Sequence, residues 1–203
     1  MDVKKFSRTI FAPALVIIGL LFLAVGGKDI YNGFFSKGPK SKDVAVQEAL
    51  AKSQELKEYE ESRTGVHFFY PKSWDLKPIQ NGTSFSTLGD VVNVRVSVDD
   101  FSDKKEEITP VRYRDLTQVQ LKNLEKEASI KYTTRDEGTT TIANLGAYQW
   151  TYSLQVKDVP IGGSQVWFVK DKKVFVMTYT APAQLFDTFY PLYQRMVSSI
   201  TLP

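Results

Sequence analysis

The chain has 203 residues, of which 42% are hydrophobic and 13% aromatic, enough for a packed core and too many for a fully disordered chain. Its net charge of +3 creates no strong field that would recruit nucleic acid. The absence of cysteine and the single histidine exclude disulfide scaffolds, zinc clusters, thiol nucleophiles and haem or iron–sulfur ligation. We therefore expect no cofactor and no resident metal.

The N-terminus combines a basic tip with a long uncharged segment. Residues 1–9 contain three basic side chains and one acidic one, and no charged residue lies in the 19 positions between Arg8 and Lys28. A helix rises ~1.5 Å per residue, so this segment spans roughly 28 Å, close to the ~30 Å hydrocarbon core of a bilayer. We predict a single-pass signal-anchor helix over residues 10–27. The alternatives are a cleaved signal peptide, with its site at 24–26, and a buried core helix.

The charges that flank this segment predict its orientation. Three basic residues precede it, whereas within nine positions after it the only basic residue is Lys28, next to Asp29. Positively charged flanks favour the cytoplasmic side. We therefore expect a cytoplasmic N-terminus, contact with the lipid bilayer through residues 10–27, and a domain on the extracytoplasmic side.

Residues 28–63 are predicted to be a juxtamembrane linker and a helical stalk. From position 41 to position 61 the composition is rich in Ala, Glu, Lys, Gln and Leu, and Ser41 suits a helix N-cap. A thin apolar stripe follows this stretch, formed by Val46, Ala49, Leu56 and Tyr59. The stripe is short for a coiled coil, which favours a single helical stalk. A dimerising helix is the alternative. Three aromatic residues near the start of this region are suited either to the membrane interface or to packing on the domain. They are Tyr31, Phe34 and Phe35.

Residues 64–203 are predicted to form one globular domain. Alternating apolar and polar residues predict strands, and an Asn81-Gly82 pair and a charged segment at 170–173 predict hairpin turns. The predicted strands cover 66–70, 83–87, 91–98, 130–134, 139–142, 147–156, 165–169 and 174–179. Helical spacing over 111–128 and after Pro182 predicts two helices. This order indicates an α+β fold in which helices cover an antiparallel sheet.

Several short motifs of this domain resemble those of PsbP-like domains. They are Phe69-Tyr70-Pro71-x-x-Trp74, Gly146-x-Tyr148 followed by Tyr152, Gly162-Gly163-x-x-Val166, the run 174–182, and the closing stretch from Phe186 to Ile200. The resemblance covers residues 64–203 and rests on the order and spacing of the motifs. It implies an α/β/α sandwich and an accessory role without catalysis. Photosynthetic members are extrinsic lumenal subunits of photosystem II, and related bacterial domains have no assigned activity.

Two sets of polar residues are candidates for chemistry. His67 could join a triad with Ser73 or Ser84 as nucleophile and Asp75 as orienting acid. It lies in a predicted strand, and no G-x-S-x-G turn occurs, so we expect a structural histidine. The second set is an acidic cluster that could offer oxygen ligands to calcium: Asp99, Asp100, Asp103, Glu106 and Glu107. It lacks the spacing of an EF-hand, which favours a solvated loop.

The aromatic strands offer a candidate binding surface. Side chains alternate between the two faces of a strand, so about half of the rings should face a core, and an exposed remainder would mark a partner surface. The candidate partner surface consists of Trp150, Tyr152, Trp167 and Tyr179. Gly162 and Gly163 match no phosphate-binding loop and predict a turn between strands.

The function expected from these features is a membrane-anchored, extracytoplasmic, non-enzymatic PsbP-like binding or assembly module. Its partner would belong to a membrane-associated protein complex, and nucleic acid is not expected as a partner. The alternatives are a photosystem II-associated lumenal subunit and, less favoured, a hydrolase that uses His67.

Overall fold

The structure is a computed structural model that describes residues 32–36, 38–128, 130–156 and 159–203. The predicted basic tip over 1–9 and the predicted anchor over 10–27 lie outside the described residues. Among the residues that are described, no helix is long and apolar enough to cross a membrane.

The described part of the chain contains three longer helices and nine strands. In chain order they are α1 (Pro39–Lys52), β1 (Leu56–Glu61), β2 (Val66–Pro71), β3 (Asp75–Ile79), β4 (Gly82–Thr87), β5 (Val92–Asp100), α2 (Pro110–Ala128), β6 (Ile130–Ile142), β7 (Leu145–Val156), β8 (Val159–Lys170), β9 (Lys173–Pro182) and α3 (Ala183–Ser198). The predicted α+β class is confirmed.

The strands form two antiparallel sheets. β1 and β2 make a hairpin, and the other seven strands have the order β3-β4-β5-β9-β8-β7-β6. After β5 the chain passes through α2 to the far edge of the sheet. It then returns strand by strand through three hairpins until β9 pairs with β5. The predicted turns at 81–82 and 170–173 are confirmed, since each joins two neighbouring antiparallel strands.

Helices pack on both faces of the large sheet. On the face that we call the α2 face, Tyr113 and Leu121 of α2 join the buried aromatic residues of β7 and β8. On the opposite face, called the α3 face, Phe189 and Met196 of α3 join the valines of β5 in the larger core cluster. β5 was predicted to have one solvated side, but Asn93 and other polar residues on that side are also buried.

The predicted helical stalk is wrong for residues 56–61. α1 ends at Lys52, where the Ser53 N–H donates to the Ala49 carbonyl at 3.1 Å, and the following residues form β1. Tyr59 packs its ring 5.2 Å from that of Phe68 and 5.1 Å from that of Phe85. The stripe predicted for a free helix is therefore core packing. Phe34 is also part of this core, which confirms the packing alternative for that ring.

Gly162 and Gly163 do not form the predicted turn, because they lie inside β8. A Cβ atom at Gly162 would lie 2.3 Å from the ring of Phe186 in α3, and one at Gly163 would lie 2.3 Å from the ring of Tyr152. The two glycines let aromatic rings approach the sheet backbone from opposite faces. Likewise, the two strands predicted over 130–142 are one strand, with an irregularity between Thr134 and Asp136.

Replacing Gly162 with alanine should destabilise the domain by about 1–3 kcal/mol, because the new methyl group forces the Phe186 ring out of its packed position. The measurement is the free energy of unfolding in urea. Gly146→Ala is the matched control, since a Cβ there meets nothing within 4 Å. Equal stabilities of the two variants would show that α3 does not pack against Gly162 as described.

Candidate functional site

A cleft of about 290 Å³ opens between the C-terminal half of α3 and strands β6–β8. It exists because α3 contacts β9, β8 and β5, so that the sheet continues beyond the helix towards β6. Residues of one helix and three strands line it: Tyr190, Tyr193, Gln194, Val197 and Ser198 from α3, and Thr140, Thr141, Ile142, Gln149, Ser164, Gln165 and Val166 from the strands.

Strand alternation explains the polar character of the cleft. In β7 the residues at even positions, such as Tyr148 and Trp150, face α2 and are apolar or aromatic. The odd positions face the α3 side, and they are polar from Gln149 to the C-terminal end of the strand. The cleft therefore forms where the apolar α3 face gives way to polar side chains.

The polar groups of the cleft are neutral hydrogen-bonding groups. Ser164 and Thr151 share a hydroxyl–hydroxyl hydrogen bond of 3.1 Å, and the Tyr193 hydroxyl donates to the Met177 carbonyl at 3.2 Å. Burial is the main cause that raises the pKa of Tyr193 well above its usual value, so that phenol keeps its proton. Among the described lining residues there is no carboxylate, imidazole or ammonium group. Their chemistry is recognition by hydrogen bonds and apolar contact.

The four residues predicted as a partner surface are enclosed in the core. Trp150, Tyr152, Trp167 and Tyr179 are each at most 3% exposed. Three of them also use their polar atoms internally: Trp150 bonds Thr134, Trp167 donates to the Pro110 carbonyl, and Tyr179 donates to the Phe186 carbonyl. The alternation was interpreted correctly, but helices cover both faces of the sheet. The prediction that these four residues form a partner surface is therefore wrong, because they are core residues.

His67 has structural partners. Its Nδ1 lies 3.2 Å from a carboxylate oxygen of Glu58 across the β1–β2 hairpin, and its backbone N–H and C=O both pair with Thr201. Ser84 lies on β4 in the other sheet, where its hydroxyl accepts a bond from Asn93. Among the described contacts, none joins His67 to a serine hydroxyl.

The acidic cluster does not form a metal centre in the described part of the chain, where no three potential ligand residues converge. Most of its members are exposed, as expected for a solvated loop. Asp99 differs, because it is 6% exposed and accepts a 2.6 Å bond from the Tyr113 hydroxyl of α2. Burial raises the pKa of Asp99 to about 6, although the Tyr113 bond and the Arg63 charge act in the opposite direction.

This raised pKa makes stability depend on pH. Between about pH 4 and pH 6 the folded state holds a proton on Asp99 that the unfolded state has released, so stability should fall by about 2–3 kcal/mol as pH rises through this range. Above the folded pKa this contribution should stay constant. Urea unfolding at pH 4 and pH 7 measures the difference.

Asp99→Asn should remove most of this pH dependence, because the amide is neutral at both pH values. Asp103→Asn is the control, since Asp103 is exposed and should leave the profile unchanged. A wild-type profile that matches Asp99→Asn would contradict the desolvation of Asp99.

Gln149, Ser164 and Gln194 line the cleft but were not among the predicted site residues. Gln149 and Ser164 are ordinary polar positions within β7 and β8, and Gln194 is one on an exposed helix surface. A usable signal was the row of polar odd positions in β7, which marks a face without a complete apolar cover. The position at which α3 crosses the sheet depends on long-range packing, which the sequence of β7 does not show.

No protein-family model and no curated protein matches the chain. Among solved structures, cyanobacterial PsbP (CyanoP) from Synechocystis sp. PCC 6803 matches with a TM-score of 0.58 at 15% identity, over 73% of this chain and 92% of that one. A mutant of the protein Mog1 matches with a TM-score of 0.51 at 12% identity, over 73% and 96%. LpqN of Mycobacterium tuberculosis matches with a TM-score of 0.50 at 15% identity, over 73% and 91%. The described domain therefore has a PsbP-like fold.

Proposed function

We propose that this protein is a membrane-anchored, extracytoplasmic binding module that assembles with a membrane-associated protein complex and performs no chemistry itself. The observation that carries the proposal is the neutral lining of the cleft beside α3. A hydroxyl without an adjacent base is a weak nucleophile. Amides and hydroxyls among apolar side chains are, in contrast, the usual composition of a binding site.

The fold relationships support an accessory role of this kind. One neighbour is a cyanobacterial PsbP, and another, LpqN, is described as involved in cell envelope biogenesis. Because the fold is similar to that of CyanoP, a role as a photosystem II-associated lumenal subunit is the second candidate function. Co-purification with photosystem II from native membranes would favour that candidate.

The proposed anchor rests on the uncharged segment over residues 10–27. We expect the full chain to stay in the membrane pellet after alkaline washing and to be released by detergent. Arginine at the centre of a spanning helix costs about 2.5–3.5 kcal/mol per residue. The double variant Ile17→Arg, Leu21→Arg should therefore move to the soluble fraction, whereas Ile17→Leu, Leu21→Ile should not.

The side of the membrane is tested by adding protease to sealed membrane vesicles whose extracytoplasmic face points outward, which should digest the domain. A mature chain found in the soluble fraction without its first residues would overturn the anchor. Protection of the domain in these vesicles, with digestion only after detergent is added, would overturn its extracytoplasmic location.

The cleft is tested by a photo-crosslinking benzophenone side chain introduced at Gln194, which is exposed and lines the cleft. We expect a discrete adduct in intact membranes, because a seated partner lies within reach of this position. The matched control is the same side chain at Gln184, which is exposed on α3 but is not among the cleft residues.

Identical adduct patterns from positions 194 and 184 would contradict binding in the cleft. A separate test addresses catalysis: turnover of ester, glycoside or phosphate substrates by the purified full chain, abolished by Ser164→Ala, would overturn the non-enzymatic role.

A further inference from the structure

Two buried side chains on the strands of the α2 face carry polar atoms without a hydrogen-bond partner in the described part of the chain. They are the hydroxyl of Tyr152 and both amide atoms of Gln165. Tyr152 is 0% and Gln165 is 1% exposed. Because most buried polar groups in native proteins are satisfied, each unsatisfied group requires an explanation, and a role in ligand binding is one.

The strand register places both residues in one patch with Arg95. Arg95 on β5 lies opposite Thr178 on β9, and Thr178 lies opposite Gln165 on β8, so these three share a face. The far end of the Tyr152 ring lies over the bare backbone of Gly163 on β8, and Thr180 on β9 lies opposite Gly163. We call Arg95, Tyr152, Gln165, Thr178 and Thr180 the Arg95 patch.

The guanidinium of Arg95 has no carboxylate partner within the described residues. Its Nε donates to the side-chain oxygen of Asn93 at 3.2 Å, and no hydrogen bond from another described residue engages its two terminal nitrogens. Asp90 contributes a favourable charge, but its carboxylate is already held by Lys77 at 2.6 Å and by the Ser86 hydroxyl. Burial is the main influence on the Arg95 pKa and lowers it, as expected for a cation that has lost water.

We propose that the Arg95 patch is a binding site for a carboxylate group. The two terminal nitrogens of a guanidinium match the two oxygens of a carboxylate, and the Tyr152 hydroxyl and the Gln165 amide supply further donors. One negative charge balances the one unpaired guanidinium, whereas a phosphate dianion would leave an excess of negative charge in a buried site. Tyr152 and Gln165 are enclosed, whereas Arg95 is only half-buried, so a ligand would approach the patch from the side of Arg95.

The carboxylate belongs either to a small organic acid or to the C-terminus of a peptide. The test is a ligand-observed NMR titration of the detergent-solubilised full chain at constant ionic strength. The probes are acetate, a tripeptide with a free C-terminus and the same tripeptide with an amidated C-terminus. Acetamide and inorganic phosphate serve as comparison ligands.

We expect saturable binding of acetate or of the free tripeptide, and none of acetamide or of the amidated tripeptide. Acetate without the tripeptide identifies a small acid, and tripeptide binding identifies a peptide terminus. Arg95→Gln should weaken binding about ten- to a hundredfold, because a charge-assisted bidentate contact is lost. Arg195→Gln, an exposed arginine on α3, should leave binding unchanged.

Tyr152→Phe separates a ligand contact from a structural role. The hydroxyl it removes has no partner among the described residues, so the thermal midpoint of the free protein should hold or rise, while carboxylate binding should weaken several-fold. If Arg95→Gln does not fold, Tyr152→Phe still tests whether the patch binds a carboxylate. The proposal is overturned if neither carboxylate binds, if phosphate binds as well as acetate does, or if Tyr152→Phe leaves binding unchanged.

Discussion

The pairing of β5 with β9 holds the two parts of the large sheet together. Asn93 lies opposite Thr180 and Asp100 lies opposite Lys173, so the contact joins segments that are far apart in the chain. Closing so long a loop costs conformational entropy. Burial of Val94, Val96 and Met177 along this seam offsets that cost. With the seam formed, α2 and α3 have a continuous sheet to cover, and the Arg95 patch lies across the seam itself.

The two faces of the sheet differ in the residues that they present to the helices. The α3 face carries the larger apolar core and becomes polar only at its edge, where the cleft lies. The α2 face is aromatic over β7 and β8 but polar along β5, where Arg95 lies beside Asn93. A cleft with neutral polar groups and a patch with an unpaired cation therefore lie on opposite sides of one sheet, and a single domain can serve two ligands of different chemistry.

Local sequence patterns were sufficient for elements whose structure depends on near neighbours. The alternation over 147–156 and the charged turn at 170–173 predicted β7 and the β8–β9 hairpin. β1 was missed because its Glu- and Lys-rich sequence resembles a helix surface, and only its pairing with β2 makes it a strand. Gly162 was interpreted as a turn because its actual role, making room for Phe186, depends on a distant helix. Alternation also showed which residues of β5 share a face, but not that this face is covered. The patterns therefore indicated polar faces on β5 and β7, but not the two sites that helix packing forms there.

With the proposed anchor in a bilayer, the packing of Phe34 would limit how far the domain stands from the lipid. Phe34 is 7% exposed and belongs to the core, so six residues, 28–33, separate it from the end of the proposed anchor. Even fully extended, so short a connection reaches about 25 Å. With the anchor as proposed, the domain would sample a thin layer above the lipid, and a partner in the same membrane would meet it at a high effective concentration. Modest intrinsic affinity would then be enough for stable association.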